Sequence, residues 1–452
     1  MPSRTDQWLQ NHRAALTASL QEILCIPSIK GEPAPGAPFG KDVKRALDAA
    51  LSLAGSLGLA TKNLEGYIGY AECGQGKEQL GILAHLDVVG TGAGWVYPPF
   101  SATVAEGKLF GRGAMDDKGP AVAALYALAA VQASGLPFTR RVRILLGCDE
   151  ESGWGCMRHY AQVERMPDLA FSPDADYPLV SGEKHLCQLR FRGAFDSNIT
   201  IQSGDTINIV PDFAVAEVPL DAALAAPLCA PYQAACTPLP SGCRIAIKGA
   251  SAHASTPELG ENALQKLLEL LCKLPLTGKD AEMLAALHGL FARDLHGESL
   301  GQSCEDASGR LTQNVAILSW GKQGIAELAL DYRLPISKDL ETLKEAVAGS
   351  LAPLGLTLFA QDCKPGYYVE PTSELVRTLL GVYRARTGDF SPPLTIGGGT
   401  YARCIPNAVA FGCERPGEPN NIHQANEYIA LDALFEDACM MADAIAALAC
   451  EG

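Results

Sequence analysis

The chain has 452 residues, 48% of them hydrophobic and 19% charged, with a formal net charge of -15 at pH 7. That length exceeds one ordinary core and favours two domains, while the composition excludes a disordered chain. The acidic balance argues against nucleic acid as a partner, since phosphate binding needs clustered Lys and Arg, and no apolar run reaches the roughly 18 residues of a membrane span.

In chain order, a first helix carries Trp8, Leu16, Leu20, Ile23 and Leu24 at helical spacing and ends before Pro27. It lacks the unbroken apolar centre of a signal peptide, so a cytoplasmic location is expected. A Pro/Gly-rich loop over 31–40 leads to a helix with Val43, Ala46, Leu47, Ala50, Leu51 and Ala54 on one face, closed by Gly58. Strands follow over 67–73 and 80–89. The second opens on the apolar run 80–86 expected of a strand buried on both faces, and that run ends in His85-Leu86-Asp87. Gly111 to Pro120 carries Asp116-Asp117 between glycines, directly before an apolar helix over 121–131. A buried-type strand over 141–148 ends in Asp149-Glu150-Glu151, and another over 169–172 ends in Pro173-Asp174. Alternating strands and helices imply an α/β sheet whose ligand site lies beyond the carboxyl ends of its strands.

From about His185 the texture changes to alternating strands (186–192, 245–248, 326–330) with helices over 262–274 and 339–351. The segments starting at Thr206 and Thr312 read as a weak internal repeat, two similar α+β halves. After Pro365 helix–strand alternation returns, with a glycine turn at 397–399, His423 in a polar loop and a last helix over 431–447. The expected organisation is a discontinuous α/β domain over 1–184 and 366–452, with a mixed, mainly parallel sheet flanked by helices. An α+β domain over 185–365 is inserted into it.

His85, Asp87, Asp116, Glu150, Glu151, Asp174 and His423 supply two imidazoles and several carboxylates, a set suited to a pair of divalent ions such as zinc, manganese or cobalt. Asp116 is the natural shared ligand, fixed by the helix entrance, and Asp87 could hydrogen-bond the His85 imidazole. Adjacent Glu150 and Glu151 point in different directions at a strand end, so one can bind metal while the other acts as a base. Alone, the acidic turn at 149–151 would read as solvated surface and Asp116 as a helix cap. Together with the other strand-end ligands they do not. No thiol-nucleophile signature or phosphate loop is present. His253 falls in the inserted domain, a position suited to an oxyanion donor. His12, His159, His185, His288 and His296 have no partner pattern. The 15 cysteines include no C-x-x-C pair and read mostly as small core residues.

These motifs, His85-Leu86-Asp87, 113–119, 149–151, 172–175 and 249–263, resemble the co-catalytic metallopeptidases that include aminoacylases, carnosinases and carboxypeptidase G. Segments 112–120, 204–211, 331–333, 397–403 and 423–427 are most similar to the bacterial peptidase V-type dipeptidases. The resemblance implies one metal on His85, Asp116 and Asp174, and a second on Asp116, Glu151 and His423, with a cis peptide after Asp116. It implies Glu150 as the base acting on a metal-bridging water, with Asp87 counted among the catalytic residues and His253 polarising the scissile carbonyl. Asn208, Arg333 and Gly398 would hold the substrate. The expected activity is hydrolysis of dipeptides and short peptides with a free amino end, with zinc the first choice of metal. An N-acyl amino acid deacylase and a silent metal-binding protein are the alternatives. The inserted segment is nearly twice the roughly 100 residues of an ordinary small domain. The resemblance implies that many relatives have a single inserted domain and dimerise so that the partner supplies the histidine; joined to the apparent duplication here, it implies a monomer whose own His253 completes its site.

Overall fold

A computed structural model of the chain describes residues 3–419 and 421–451. Its contacts divide it into two units. The first contains the residues up to Ser181, Val369–Leu394 and those from Gly399 onward; the second contains Gly182–Tyr368 and Thr395–Gly398.

The first unit is built on a mixed sheet. Strands β1 (Ala60–Leu64), β2 (Ile68–Cys73), β3 (Gln79–His85), β4 (Arg141–Gly147) and β5 (Leu169–Ser172) lie in the order β1-β2-β4-β3-β5, followed by the strand Ala408–Ala410. The pairs β1–β2 and β2–β4 are antiparallel. The pairs β4–β3, β3–β5 and β5 with Ala408–Ala410 are parallel. Every residue of β3 is buried, as its continuous apolar run requires. Helices α1 (Arg4–Leu24) and α2 (Lys41–Ser56) are amphipathic, whereas α3 (Lys118–Ser134) is apolar all round and buried from Lys118 to Val131. A helix of that kind belongs inside a core, and α3 packs between α1 and the terminal helix Leu431–Ala449. Among the described residues no helix is long and apolar enough to cross a membrane.

The second unit is a fully antiparallel eight-stranded sheet. Its strands are β6 (His185–Ala194), β7 (Thr200–Ser203), β8 (Phe213–Val218), β9 (Ala235–Leu239), β10 (Gly242–Lys248), β11 (Thr312–Gly321), β12 (Gly324–Leu334) and β13 (Thr357–Lys364). They lie in the order β9-β10-β8-β7-β11-β12-β6-β13. Helix α4 (Ala222–Cys229) joins β8 to β9, α5 (Ala263–Leu271) follows β10, and α6 (Leu340–Leu351) joins β12 to β13. Two halves emerge, β6-β7-β8-α4-β9 and β10-β11-β12-α6-β13, and each lends its first strand to the other. Thus β10 lies between β8 and β9, and β6 lies between β12 and β13. The duplication therefore exists at the level of elements: segments 216–221 and 326–331 begin in β8 and β12, the third strands of the two halves, but the Thr206 and Thr312 segments do not correspond. Thr312 opens β11, whereas Thr206 lies in the loop between β7 and β8. Leu264, Leu268, Leu271, Trp320, Leu330 and Val347 meet in a core between the sheet and its helices.

Candidate metal centre

The three parallel strands end at several of the candidate ligands of the first unit. His85 is the last residue of β3, Glu150 and Glu151 follow β4, and Asp174 follows β5. Asp116 stands two residues before α3, and the 116–117 peptide is cis. His423 comes from a loop, with φ +62. Asp116 Oδ1 lies 2.9 Å from His85 Nε2, and its Oδ2 lies 2.8 Å from His423 Nε2. Asp174 Oδ2 is 3.7 Å from His85 Nε2, and Glu151 Oε2 is 3.3 Å from His423 Nε2. In each trio, His85–Asp116–Asp174 and Asp116–Glu151–His423, one donor atom per residue lies within 4.8 Å of the others. Asp116 belongs to both, with one oxygen turned to each.

The electrostatics match that density of acids. Burial opposes ionisation of Asp116, but hydrogen bonds from His423 and His85 hold its pKa well below the carboxylate range. Burial, reinforced by the Asp116 charge, raises Asp174 and Glu151. Against the opposing effect of burial, their acidic partners raise both imidazoles. Buried acids that cannot all ionise together, alternating with imidazole nitrogens, are a donor set for divalent cations. Glu151 Oε1 also has no hydrogen-bond partner among the described residues.

A second layer fixes these groups. His85 Nδ1 donates to the Asp87 carbonyl at 2.9 Å, which aims Nε2 at Asp116. The Asp87 carboxylate stands 3.6 Å from that ring and instead accepts the backbone N–H groups of Glu150 and Glu151, each at 3.1 Å. Its part is thus to shape the Glu150–Glu151 turn, while its backbone orients the imidazole. Asp117 Oδ2 accepts the His85 N–H at 2.9 Å. Gly113 adopts φ +90, and a Cβ there would meet Val88 Cγ1 at 2.9 Å, so only glycine suits the turn.

The helix entrance does not fix Asp116 by itself, because α3 starts only at Lys118. Glu427, 1% exposed, provides the hold. Its Oε1 accepts the N–H groups of Gly113, Met115 and Asp116 at 3.1, 3.0 and 3.2 Å, and Oε2 accepts Arg112 Nη1 at 2.6 Å. Hydrogen bonds to a charged group contribute about 1.5–3 kcal/mol each, so four on one carboxylate outweigh most single contacts in the loop. Sequence reasoning singled out the segment 423–427 but gave Glu427 no role.

Glu150 differs from its neighbour. Its Oε1 is buried with no hydrogen-bond partner among the described residues. Burial pushes its pKa up to about 8, with His85 opposing and the Glu151, Asp87 and Asp116 charges adding. A carboxylate tuned toward neutrality beside metal-type ligands is the profile of a general base.

The second unit gathers the remaining candidates. Ile209 and His253 form a β-bridge, and Ala254 N–H donates to the Asn208 carbonyl at 2.9 Å. His253 Nδ1 lies 2.6 Å from the Ser255 hydroxyl and 3.2 Å from the Ser255 N–H, which hold the ring in place. A Cβ on Gly397 would come within 2.7 Å of Ser255, so the glycine turn beside Gly398 packs directly on this segment. Arg333 Nη1 donates to the Gly397 carbonyl at 2.5 Å. The fork expected for a substrate carboxylate is already engaged, because Arg333 Nε and Nη2 donate to Asp331 at 2.7 and 3.1 Å. Among the other histidines, His12 stacks on Trp8, His159 stacks on Tyr67, and Nδ1 of His296 donates to the Leu311 carbonyl at 2.8 Å.

The sequence profile of Peptidase family M20/M25/M40 matches residues 81–447. The presumptive dipeptidase YtjP of Bacillus subtilis is 37% identical, over 96% of this chain and 97% of that protein. Among solved structures, the dipeptidase Dug1p of Saccharomyces cerevisiae aligns with a TM-score of 0.59 at 13% identity, covering 98% of each chain. An M20 family metallo-carboxypeptidase of Sulfolobus solfataricus aligns with a TM-score of 0.59 at 18% identity, covering 95% of this chain and 98% of that one. At those identities the two structures speak for the fold alone.

Proposed function

We propose that this chain, which belongs to Peptidase family M20/M25/M40, hydrolyses dipeptides and short peptides with a free amino end, using two divalent cations that share Asp116. The observation that carries this reading is the pair of Asp116 oxygens, each turned to a different imidazole, with Asp174 beside one and Glu151 beside the other. Zinc is the first choice of ion, with manganese or cobalt as alternatives, because nitrogen and carboxylate donors accept all three. When bound, the cations supply Lewis acidity at the scissile carbonyl and lower the pKa of nearby water.

The chain's own groups do the rest. Glu150 takes the proton of the attacking water and returns it to the leaving amine nitrogen. Asp87 keeps Glu150 and Glu151 diverging by holding their amides. His253, its ring held through Nδ1 by Ser255, donates to the oxyanion that develops on the carbonyl. Asn208 and Gly398 contact the substrate, and Arg333 acts through the Gly397 turn that it holds. A silent binding protein would have no use for a buried, unpartnered Glu150 oxygen beside the ligands.

The rival is an N-acyl amino acid deacylase, which needs the same cations but no free amine. The dipeptide reading has support from the dipeptidase name of the 37% identical relative. Turnover of free dipeptides and of their N-acetylated forms should be compared on zinc- and manganese-loaded protein. A preference for the free amine supports the proposal, and a preference for the acetylated form overturns it. Glu150→Gln should retain metal and lose at least about a hundredfold in kcat, the lower end of general acid–base contributions.

A further inference from the structure

The second unit holds a thiol pair that hydrolysis does not use. Strands β6 and β13 are in a register that sets Cys187 directly opposite Cys363. Directly opposed residues on antiparallel strands have Cα atoms about 4.5–5.5 Å apart. A disulfide spans about 4.4–6.8 Å between Cα atoms, so the backbone already satisfies it. Both cysteines are free thiols, with their Sγ atoms 2.9 Å apart.

We propose that Cys187 and Cys363 form a reversible thiol–disulfide site, closed by low-molecular-weight disulfides and reopened by small thiols.

The surroundings divide the labour between the two sulfurs. Cys187 is fully buried. Cys363 is partly exposed on β13, an edge strand with β6 as its single neighbour, and is the sulfur an oxidant can reach. Its thiol is held below the ordinary range by the Cys187 S–H, against burial, with the Lys344 ammonium of α6 helping. The partner Cys187 is pushed up by the same contact. Cys363 is thus the more readily ionised of the two sulfurs as well as the more accessible one, which suits it to the first step of exchange.

The steps balance. The Cys363 thiolate attacks one sulfur of the small disulfide; that S–S bond breaks, a mixed disulfide forms on Cys363, and the first small thiolate leaves and takes up a proton. Cys187 then loses its proton to solvent and attacks the Cys363 sulfur, displacing the second small thiolate. Two protein thiols are oxidised and one small disulfide is reduced to two thiols. Cys187 lies close behind Gly182, where the unit begins, and Cys363 close ahead of Tyr368, where its main segment ends. The bond therefore ties down a loop spanning 176 positions, and closing a long loop restrains the unfolded chain strongly.

The opposite end of the sheet supplies an internal comparison. Cys236 on β9 pairs with Ile245, and Cys243 on β10 pairs with Pro238, so these two are offset by two residues. Diagonal neighbours lie about 7–8 Å apart at Cα, beyond ordinary disulfide reach.

The test incubates the full-length protein with oxidised glutathione, blocks remaining thiols with iodoacetamide and maps the digest by mass spectrometry. The expected result is a linked peptide pair containing Cys187 and Cys363, released by dithiothreitol, and a melting temperature that rises on oxidation and falls back on reduction. Cys187→Ser should stop at a glutathione adduct on Cys363, and Cys363→Ser should leave Cys187 alkylated. Recovery of Cys187 and Cys363 both alkylated from the oxidised parent, or a Cys236–Cys243 link in their place, would overturn the proposal. These readouts do not involve peptide hydrolysis, so the site stands or falls apart from the proposed activity.

Discussion

Glu427 and Asp116 are separated by 311 positions, yet one Glu427 oxygen accepts the N–H groups of Gly113, Met115 and Asp116 and so fixes the loop that carries Asp116. Replacing it in Glu427→Gln removes the anionic acceptor and leaves the Arg112 guanidinium, 1% exposed, without its counter-charge. Outer supporting groups of a metal site typically set about 10–100-fold in metal affinity or activity. A fall in that range, measured by zinc titration of a variant with unchanged circular dichroism, is expected. Unaltered affinity would reduce Glu427 to a packing role. The candidate ligands His85, Asp116, Glu150, Glu151 and Asp174 stand out in the sequence because each follows or ends a buried strand or stands before an apolar helix, whereas His423 lies in a loop. Glu427 was not, because what it does depends on a contact between distant segments. Arg333 teaches the converse: its residue type suggested a carboxylate clamp, and only the structure shows that Asp331 already fills the fork.

At the scale of elements, local periodicity located the strands and helices that bear the site, including β3, β4, β5 and α3, to within a few residues. It could not show that β6 and β10 are exchanged between the halves of the second unit, because strand exchange leaves no trace in hydrophobic alternation. The two halves join through the antiparallel pair β7–β11, which makes one continuous sheet from a duplicated chain. A contact of this kind between copies would build a dimer; here a single chain supplies both sides. We infer a monomer on that ground. Sedimentation at micromolar concentration should return the mass of one chain, and an obligate dimer would contradict the inference.

For the molecule as a whole, several of the acids counted in the formal net charge of -15 gather around two imidazoles. Without cations, Asp174 and Glu151 hold protons above their ordinary range and so do His85 and His423. Cation binding must displace those protons, so affinity measured by zinc titration should climb with rising pH up to the His423 value of about 11. The central claim is that one aspartate serves two cations. Zinc titration of the parent and of Asp116→Asn, with bound metal counted by mass spectrometry under native conditions, tests it most directly. The account predicts two ions per chain in the parent and a joint weakening of both in the variant. A parent that binds a single ion, or a variant that keeps one site at full affinity, would contradict it.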